Sequence, residues 1–134
     1  MEPIDDQNCF ACGRDNEYGL NLTFSTAQGK TVSEFSLHKR FQGYKSVVHG
    51  GIIATILDEA MVHAAVAEGL YPVTAEITVR YKQPLFVERP LVVEAELTAK
   101  GSRIVETRAF ISDKASGAIC AEATAKLVPL KQYP

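Results

Sequence analysis

The sequence predicts an α+β domain in which one antiparallel sheet of five or six strands wraps around a single long helix. Two observations predict this class. One apolar stretch has helical length, and the segments after it alternate apolar and polar residues with a period of two. Short polar turns separate these segments, as in a meander of antiparallel strands. At 134 residues the chain can bury a hydrophobic core, so we expect a single domain over residues 1–134, with residues 1–18 as an N-terminal leader.

Composition and charge exclude several classes of function. The net charge of −2 gives no electrostatic reason to expect binding to nucleic acid or to an anionic membrane. We find no apolar run of the roughly 20 residues that span a bilayer. The N-terminus is acidic and lacks the apolar stretch of a signal peptide. We therefore expect a cytoplasmic protein with reduced cysteines.

The helical stretch opens at His49 and continues to about Ala67, with Gly69 and Pro72 as a stop signal. Its start has no Ser, Thr, Asp or Asn cap, so we expect backbone N–H donors to point outward at the positive end of the helix dipole. Such donors would suit a carbonyl oxygen that develops negative charge. The alternative is that Gly50 and Gly51 only permit a tight turn and close packing.

Two carboxylates lie inside this apolar helix, at Asp58 and Glu59. A buried acid is costly unless it is paired, neutralised or used in chemistry. Glu59 points about 100° around the helix from its neighbour, and we expect it to pair with His63 four residues later. Asp58 then remains as the candidate functional acid, on the same stripe as the glycine-rich start.

Strands are expected on both sides of the helix. Before it, Leu20–Phe24 and Thr31–Leu37 alternate, and a polar loop follows from His38 to Ser46. After it, the period of two returns in four further segments, at residues 73–81, 91–99, 103–112 and 118–128.

Cys9 and Cys12 form a Cys-x-x-Cys pair, which invites a metal or redox interpretation. Because the pair supplies only two ligands and no second pair accompanies it, we expect no metal and no cofactor. The leader would then be a structural turn, although a metal shared between two subunits is an alternative. Cys120 alternates with alanines and is expected to pack in the sheet.

The motif HGGIIATILDEA resembles the signature of hotdog-fold acyl-CoA thioesterases, of the PaaI-like and hydroxybenzoyl-CoA branches. In those proteins an acid lies nine positions after the histidine, which is Asp58 here. The resemblance continues through YKQPL and the segment Lys100–Arg103, and the leader CFACGRDNEYGL also resembles one found in PaaI-like members. It implies the hotdog fold and thioester hydrolysis, but it does not specify the acyl group.

The resemblance implies a role for each residue of the motif. The thioester carbonyl would accept a hydrogen bond from the Gly51 N–H, with His49 and Gly50 shaping the oxyanion site. Asp58 would act as a general base on water, or as a nucleophile through an anhydride. Thr74 would orient water or substrate. Another branch carries Thr or Ser four residues after its acid, where Val62 stands here.

Substrate contacts are implied farther along the chain. Tyr81 would flank the pantetheine arm. The turn Lys100, Gly101, Ser102 and Arg103 would bind the phosphates of coenzyme A. The alternative for these cations is plain surface charge.

A homodimer with shared active sites is expected, and a dimer of dimers is its extension. Gly51 and Asp58 are separated by seven residues, which is roughly 10 Å along one helix. A base that acts through one water must reach that water, so a second copy of the helix would have to supply the acid. The competing functions are a non-catalytic acyl-CoA-binding hotdog protein and a hotdog dehydratase, and the acid beside the oxyanion donors favours the thioesterase.

Overall fold

The computed structural model describes residues 5–130, and in that range it contains one α-helix and six strands. The elements in chain order are β1 (Ser25–Ala27), β2 (Lys30–Phe35), α1 (Gly50–Ala67), β3 (Pro72–Tyr81), β4 (Leu91–Lys100), β5 (Val105–Asp113) and β6 (Ile119–Pro129). The predicted α+β class is confirmed, and the central helix lies where the sequence placed it.

All six strands form one antiparallel sheet in the order β1-β2-β4-β5-β6-β3. The strands β4, β5 and β6 are joined in sequence as hairpins. After β2 the chain leaves the sheet to form α1, and it returns as β3 at the far edge of the sheet, beside β6. The sheet therefore wraps around α1, as the hotdog resemblance implied.

The core lies between α1 and the inner face of the sheet. Seven helix residues are buried at spacings of three and four: Ile53, Ile56, Leu57, Ala60, Met61, Ala64 and Ala65. The opposite side of the helix, including Asp58 and Glu59, is only partly buried. The apolar composition of this stretch predicts burial on most sides, and that prediction is wrong, because within one chain the sheet covers only one side of the helix. By length and composition alone α1 could cross a membrane, but here it is the central helix of the domain.

The predicted helix stop is confirmed. Gly69 adopts a φ of +81°, which glycine tolerates without strain. The Leu70 N–H then donates to the Ala65 carbonyl and the Gly69 N–H to the Val66 carbonyl, so two late carbonyls of the helix are satisfied. The chain turns at this point directly into β3.

The predicted strand Leu20–Phe24 is wrong, because the first strand begins at Ser25. Asn21 has a φ of +53°, which breaks an extended conformation. The N–H groups of Leu20 and Leu22 donate to carbonyls of the leader, at Phe10 and Ala11, instead of joining the sheet. The alternation of this segment reflects packing of Leu22 in the core, where it is 4% exposed.

The polar segment before α1 contains a short 3-10 helix, Lys39–Phe41, which the sequence did not predict. His38 caps this turn, since its Nδ1 accepts a hydrogen bond from the Arg40 N–H at 2.9 Å. Phe41 is buried, and its carbonyl accepts from the His49 N–H. The 3-10 helix thus helps to place the start of α1.

Candidate active site

The start of α1 is capped by His49, contrary to the expectation of an uncapped helix. The residue is extended, and its Nδ1 accepts a hydrogen bond from the Gly51 N–H at 2.9 Å. The Gly51 N–H is therefore already hydrogen-bonded within the chain. Sequence reasoning missed this cap because it looked for Ser, Thr, Asp or Asn, whereas an imidazole nitrogen can also accept.

The bond to Gly51 fixes where the His49 ring carries its proton. An Nδ1 that accepts must carry no proton, so a neutral ring holds its proton on Nε2. His49 is exposed, and its Nε2–H is available as a donor beside the helix start. The residue before His49 is also held in place, because the Val48 N–H donates to the Leu85 carbonyl.

The structure brings Asp58 and Thr74 together, whereas the resemblance implied only that Thr74 orients water or substrate. The Thr74 hydroxyl on β3 donates to Asp58 Oδ1 at 2.6 Å. Burial raises the pKa of the Asp58 carboxyl, the hydrogen bond from Thr74 opposes that rise, and the nearby charge of Glu59 adds to it. A carboxylate with a raised pKa, held by one hydroxyl and still partly open, has the properties of a general base.

The two halves of the expected site are far apart in one chain. Helix α1 is continuous from Gly50 through Asp58, so the roughly 10 Å of axial separation between Gly51 and Asp58 remains. Side chains lean toward the helix start, which recovers only part of that distance. One chain therefore presents a donor half at His49–Gly51 and an acid half at Asp58 and Thr74.

Tyr81 lies at the donor half. Its hydroxyl donates to the Gly50 carbonyl at 2.8 Å, and the ring covers that glycine. A cleft of about 310 Å³ opens here, between the helix start and the end of β3. Its walls continue through residues that sequence reasoning did not assign to a site, namely Lys82, Gln83, Pro84 and Leu85. The YKQPL motif was the signal that could have placed them.

The turn Lys100–Arg103 is not brought to the helix start. It joins β4 to β5 at the end of the sheet where Lys100 pairs with Val105, Val105 with Leu127 and Leu127 with Thr74. Three strand spacings, roughly 14 Å, separate this turn from β3. Lys100, Gly101, Ser102 and Arg103 are all exposed at that end, on the side of the acid half.

A larger concavity, about 650 Å³, lies elsewhere, on charged residues of the sheet that include Lys30 and Arg108. We do not place the active site there, because neither Asp58 nor the helix start lines it. Four of its charged residues also form pairs, since Lys30 contacts Glu94 and Arg108 contacts Glu96.

The predicted pair of Glu59 and His63 is confirmed, with His63 Nε2 3.1 Å from Glu59 Oε1. The leader also reaches this carboxylate, since Cys9 Sγ lies 3.7 Å from the same oxygen. The sequence argument counted only the two cysteines as ligands, and in the structure a third group with ligand chemistry, Glu59, lies beside them.

The chain is similar to known proteins both in sequence and in structure. Residues 45–120 match the model of the thioesterase superfamily. The mouse acyl-coenzyme A thioesterase THEM4 is 31% identical over 121 residues, which cover 87% of this chain and 52% of the relative. The chain thus spans about half the length of the curated relatives that it matches.

Solved structures share the fold. The thioesterase superfamily protein RHA08564 has a TM-score of 0.87 and 23% identity, over 96% of this chain and 67% of that one. The E. coli PaaI protein from the phenylacetic acid degradation operon has a TM-score of 0.76 and 19% identity, over 83% and 80%. The smu.793 protein of Streptococcus mutans UA159, solved with acetyl CoA, has a TM-score of 0.77 and 16% identity, over 85% and 92%.

Proposed function

Because the chain belongs to the thioesterase superfamily, we propose that it hydrolyses an acyl-CoA thioester to a free carboxylic acid and coenzyme A. The observation that carries the proposal is the contact between Asp58 and Thr74 on the open side of a core helix. The name of the mouse relative, an acyl-coenzyme A thioesterase, supports the same substrate class. A small aryl or medium-chain acyl group is the proposed substrate.

The proposed reaction uses the two halves together. At the acid half, Asp58 takes a proton from water as the water oxygen bonds to the thioester carbon, which gives a tetrahedral intermediate. When that intermediate collapses, the C–S bond breaks, the free acid forms, and the proton passes from Asp58 to the departing coenzyme A thiolate. At the donor half, the carbonyl oxygen receives hydrogen bonds from the Gly51 N–H and the His49 Nε2–H as its negative charge develops. To free the Gly51 donor, the substrate oxygen replaces His49 Nδ1 as its acceptor, an exchange of one hydrogen bond for another. A direct attack by Asp58 on the carbonyl is the alternative chemistry.

We further propose that each site is shared between two copies of the chain. The roughly 10 Å between Gly51 and Asp58 is too long for one water to bridge. Among residues 5–130, β3 is a ten-residue edge strand, and its outer side has no strand partner. Pairing of two β3 edges about a two-fold axis would satisfy that edge and bring two α1 helices together. A dimer of dimers would use a second surface, for which the charged concavity on the sheet is our candidate.

The proposed location is the cytoplasm. All three cysteines are free, and none lies in a disulfide. Free thiols are typical of a reducing compartment.

The test is release of free thiol from a panel of acyl-CoAs, both aryl and aliphatic. Hydrolysis of at least one member, with a matching free acid detected by mass spectrometry, is the expected result. Binding of acyl-CoA without thiol release would favour the non-catalytic binding protein instead. Loss of water from a hydroxyacyl-CoA with the thioester intact would favour the dehydratase.

A further inference from the structure

The leader places two thiols against a carboxylate of the central helix. Cys9 Sγ, Cys12 Sγ and a carboxylate oxygen of Glu59 all lie within 4.8 Å of one another, and each residue is partly buried. The Cys9–Glu59 distance is 3.7 Å. Thiolates and a carboxylate within this spacing have the ligand chemistry of a zinc site.

The backbone of the leader holds both thiols on one side. The Gly13 N–H donates to the Cys9 carbonyl at 2.9 Å, which closes the turn around Cys12. A Cβ at Gly13 would stand only 2.4 Å from the Cys9 nitrogen, so only glycine fits this turn. Ala11, between the two cysteines, is 3% exposed and belongs to the core. The turn is therefore anchored to the core through Ala11.

The carboxylate of Glu59 is held in a mostly buried position. Its side chain is only 18% exposed, and a mostly buried carboxylate is costly unless partners satisfy it. A divalent cation bound between this carboxylate and the two thiols would neutralise the carboxylate and replace the thiol protons.

The distance between Cys9 Sγ and the Glu59 oxygen suits a tetrahedral zinc ion. Zinc bonds of 2.3 Å to sulfur and 2.0 Å to oxygen imply a sulfur–oxygen edge of about 3.5 Å, close to the 3.7 Å observed. His63 Nε2 contacts the same Glu59 oxygen at 3.1 Å, and the His63 ring is itself stacked on Phe24. An outer partner of this kind orients the ligand toward the metal.

We propose that Cys9, Cys12 and Glu59 bind one zinc ion, with His63 positioning Glu59 and a water molecule in the fourth position. On binding, each thiol releases its proton to the solvent and becomes a thiolate ligand. The ion fastens the leader to α1 one residue from Asp58, so its role is to stabilise the fold. This inference replaces the sequence-based expectation of a chain without metal.

The test uses the full chain, stripped of metal with a chelator under reducing conditions and then titrated with Zn²⁺ or Co²⁺. We expect about one zinc per chain by elemental analysis, a Co²⁺ spectrum with thiolate charge transfer, and a higher melting temperature with zinc. Cys12→Ser and Glu59→Gln should lose these signals. His63→Gln should weaken zinc binding by about 10- to 100-fold without abolishing it.

Cys120→Ser is the matched control, because this thiol is also buried but lies in β6, away from the cluster. It should bind zinc as the wild type does. Less than about a tenth of a zinc per chain after reconstitution of the reduced protein would overturn the proposal. So would equal loss of zinc in Cys120→Ser, or binding that is unchanged in Cys12→Ser. If the leader variants do not fold, the thiolate band of wild-type protein with Co²⁺ decides the question alone.

Discussion

At the scale of single residues, the candidate site depends on how Asp58 is held. The carboxylate lies on the open side of an apolar helix, where burial raises its pKa and one hydroxyl fixes its orientation. An acid without a function would be costly at this position. The neighbouring Glu59 has its own partners in His63 and Cys9, so the two acids have different surroundings and different roles.

Replacing Asp58 with Asn tests its role as the base. The amide keeps the size of the side chain and still accepts from Thr74, but it cannot take a proton from water. We expect the variant to fold and turnover to fall by about two or more orders of magnitude. Steady-state thiol release measures the change, and circular dichroism checks the fold. Near-normal turnover in a folded Asp58→Asn protein would remove Asp58 from the chemistry.

Thr74 is a positioning residue, and a pair of variants tests it. Thr74→Val removes the hydroxyl but keeps the shape, so Asp58 loses its only side-chain donor among residues 5–130. We expect kcat to fall about tenfold with little change in KM, as for the loss of one charge-assisted hydrogen bond. Thr74→Ser restores the hydroxyl and should restore most of kcat. A structural role alone would predict that both variants behave alike.

The cap at the helix start shows that a sequence motif does not reveal the hydrogen bonds its residues make. The HGG motif marked the start of the helix correctly, but it suggested free N–H donors where the structure has a hydrogen bond from the Gly51 N–H to His49. A histidine cap depends on the side-chain rotamer and tautomer, and neither can be inferred from residue order. Positions in the motif were therefore predictable, whereas their hydrogen bonds were not.

At the scale of elements, periodicity predicted the helix and five of the six strands to within about two residues of their ends. It failed at Leu20–Phe24, where the apolar alternation has the strand period but the backbone bonds to the leader. An alternation shows which side chains face the core. It does not show which backbone partner satisfies the N–H groups, because that depends on residues distant in sequence.

The turn between β4 and β5 yields a prediction about substrate recognition. Lys100 and Arg103 are exposed at the end of the sheet that holds Thr74, so in a shared site they accompany the acid half. We expect the double variant Lys100→Ala/Arg103→Ala to raise KM for an acyl-CoA about tenfold, through lost contacts with phosphate. KM for the matching acyl-pantetheine, which lacks the nucleotide, should not change.

Lys114→Ala is a control for this turn, because Lys114 is an exposed cation in the turn after β5, paired with Glu34. It should leave both KM values unchanged. An equal rise in KM for acyl-CoA and acyl-pantetheine in the double variant would show that the turn does not bind the phosphates.

At the scale of the whole molecule, the fold was predictable because one helix and a meander have few ways to bury their apolar faces. The contact of the leader with α1 was not. Cys9 and Glu59 are 50 residues apart, and nothing in either segment alone indicates that they meet. The resemblance to a family located Asp58 and Thr74, but only the three-dimensional structure joined the cysteines to the helix.

The last prediction concerns assembly of the site across two chains. We would prepare Asp58→Ala, which removes the acid half, and Gly51→Pro, which removes the N–H of the donor half at a position in the first turn where proline is tolerated. Each variant alone should be nearly inactive. Unfolding and refolding an equal mixture lets the subunits exchange, and random pairing makes half of the dimers mixed.

Each mixed dimer contains one site with both wild-type residues and one site with neither. About a quarter of wild-type activity should therefore return on mixing, and separately refolded variants serve as the control. The reason is the roughly 10 Å between Gly51 and Asp58 on one helix, a distance that a partner helix would close in the proposed dimer. Mass spectrometry establishes that mixed dimers are present. If they are, and activity stays at the level of the single variants, then each site lies within one chain and the acid must reach the thioester by a movement of its own helix.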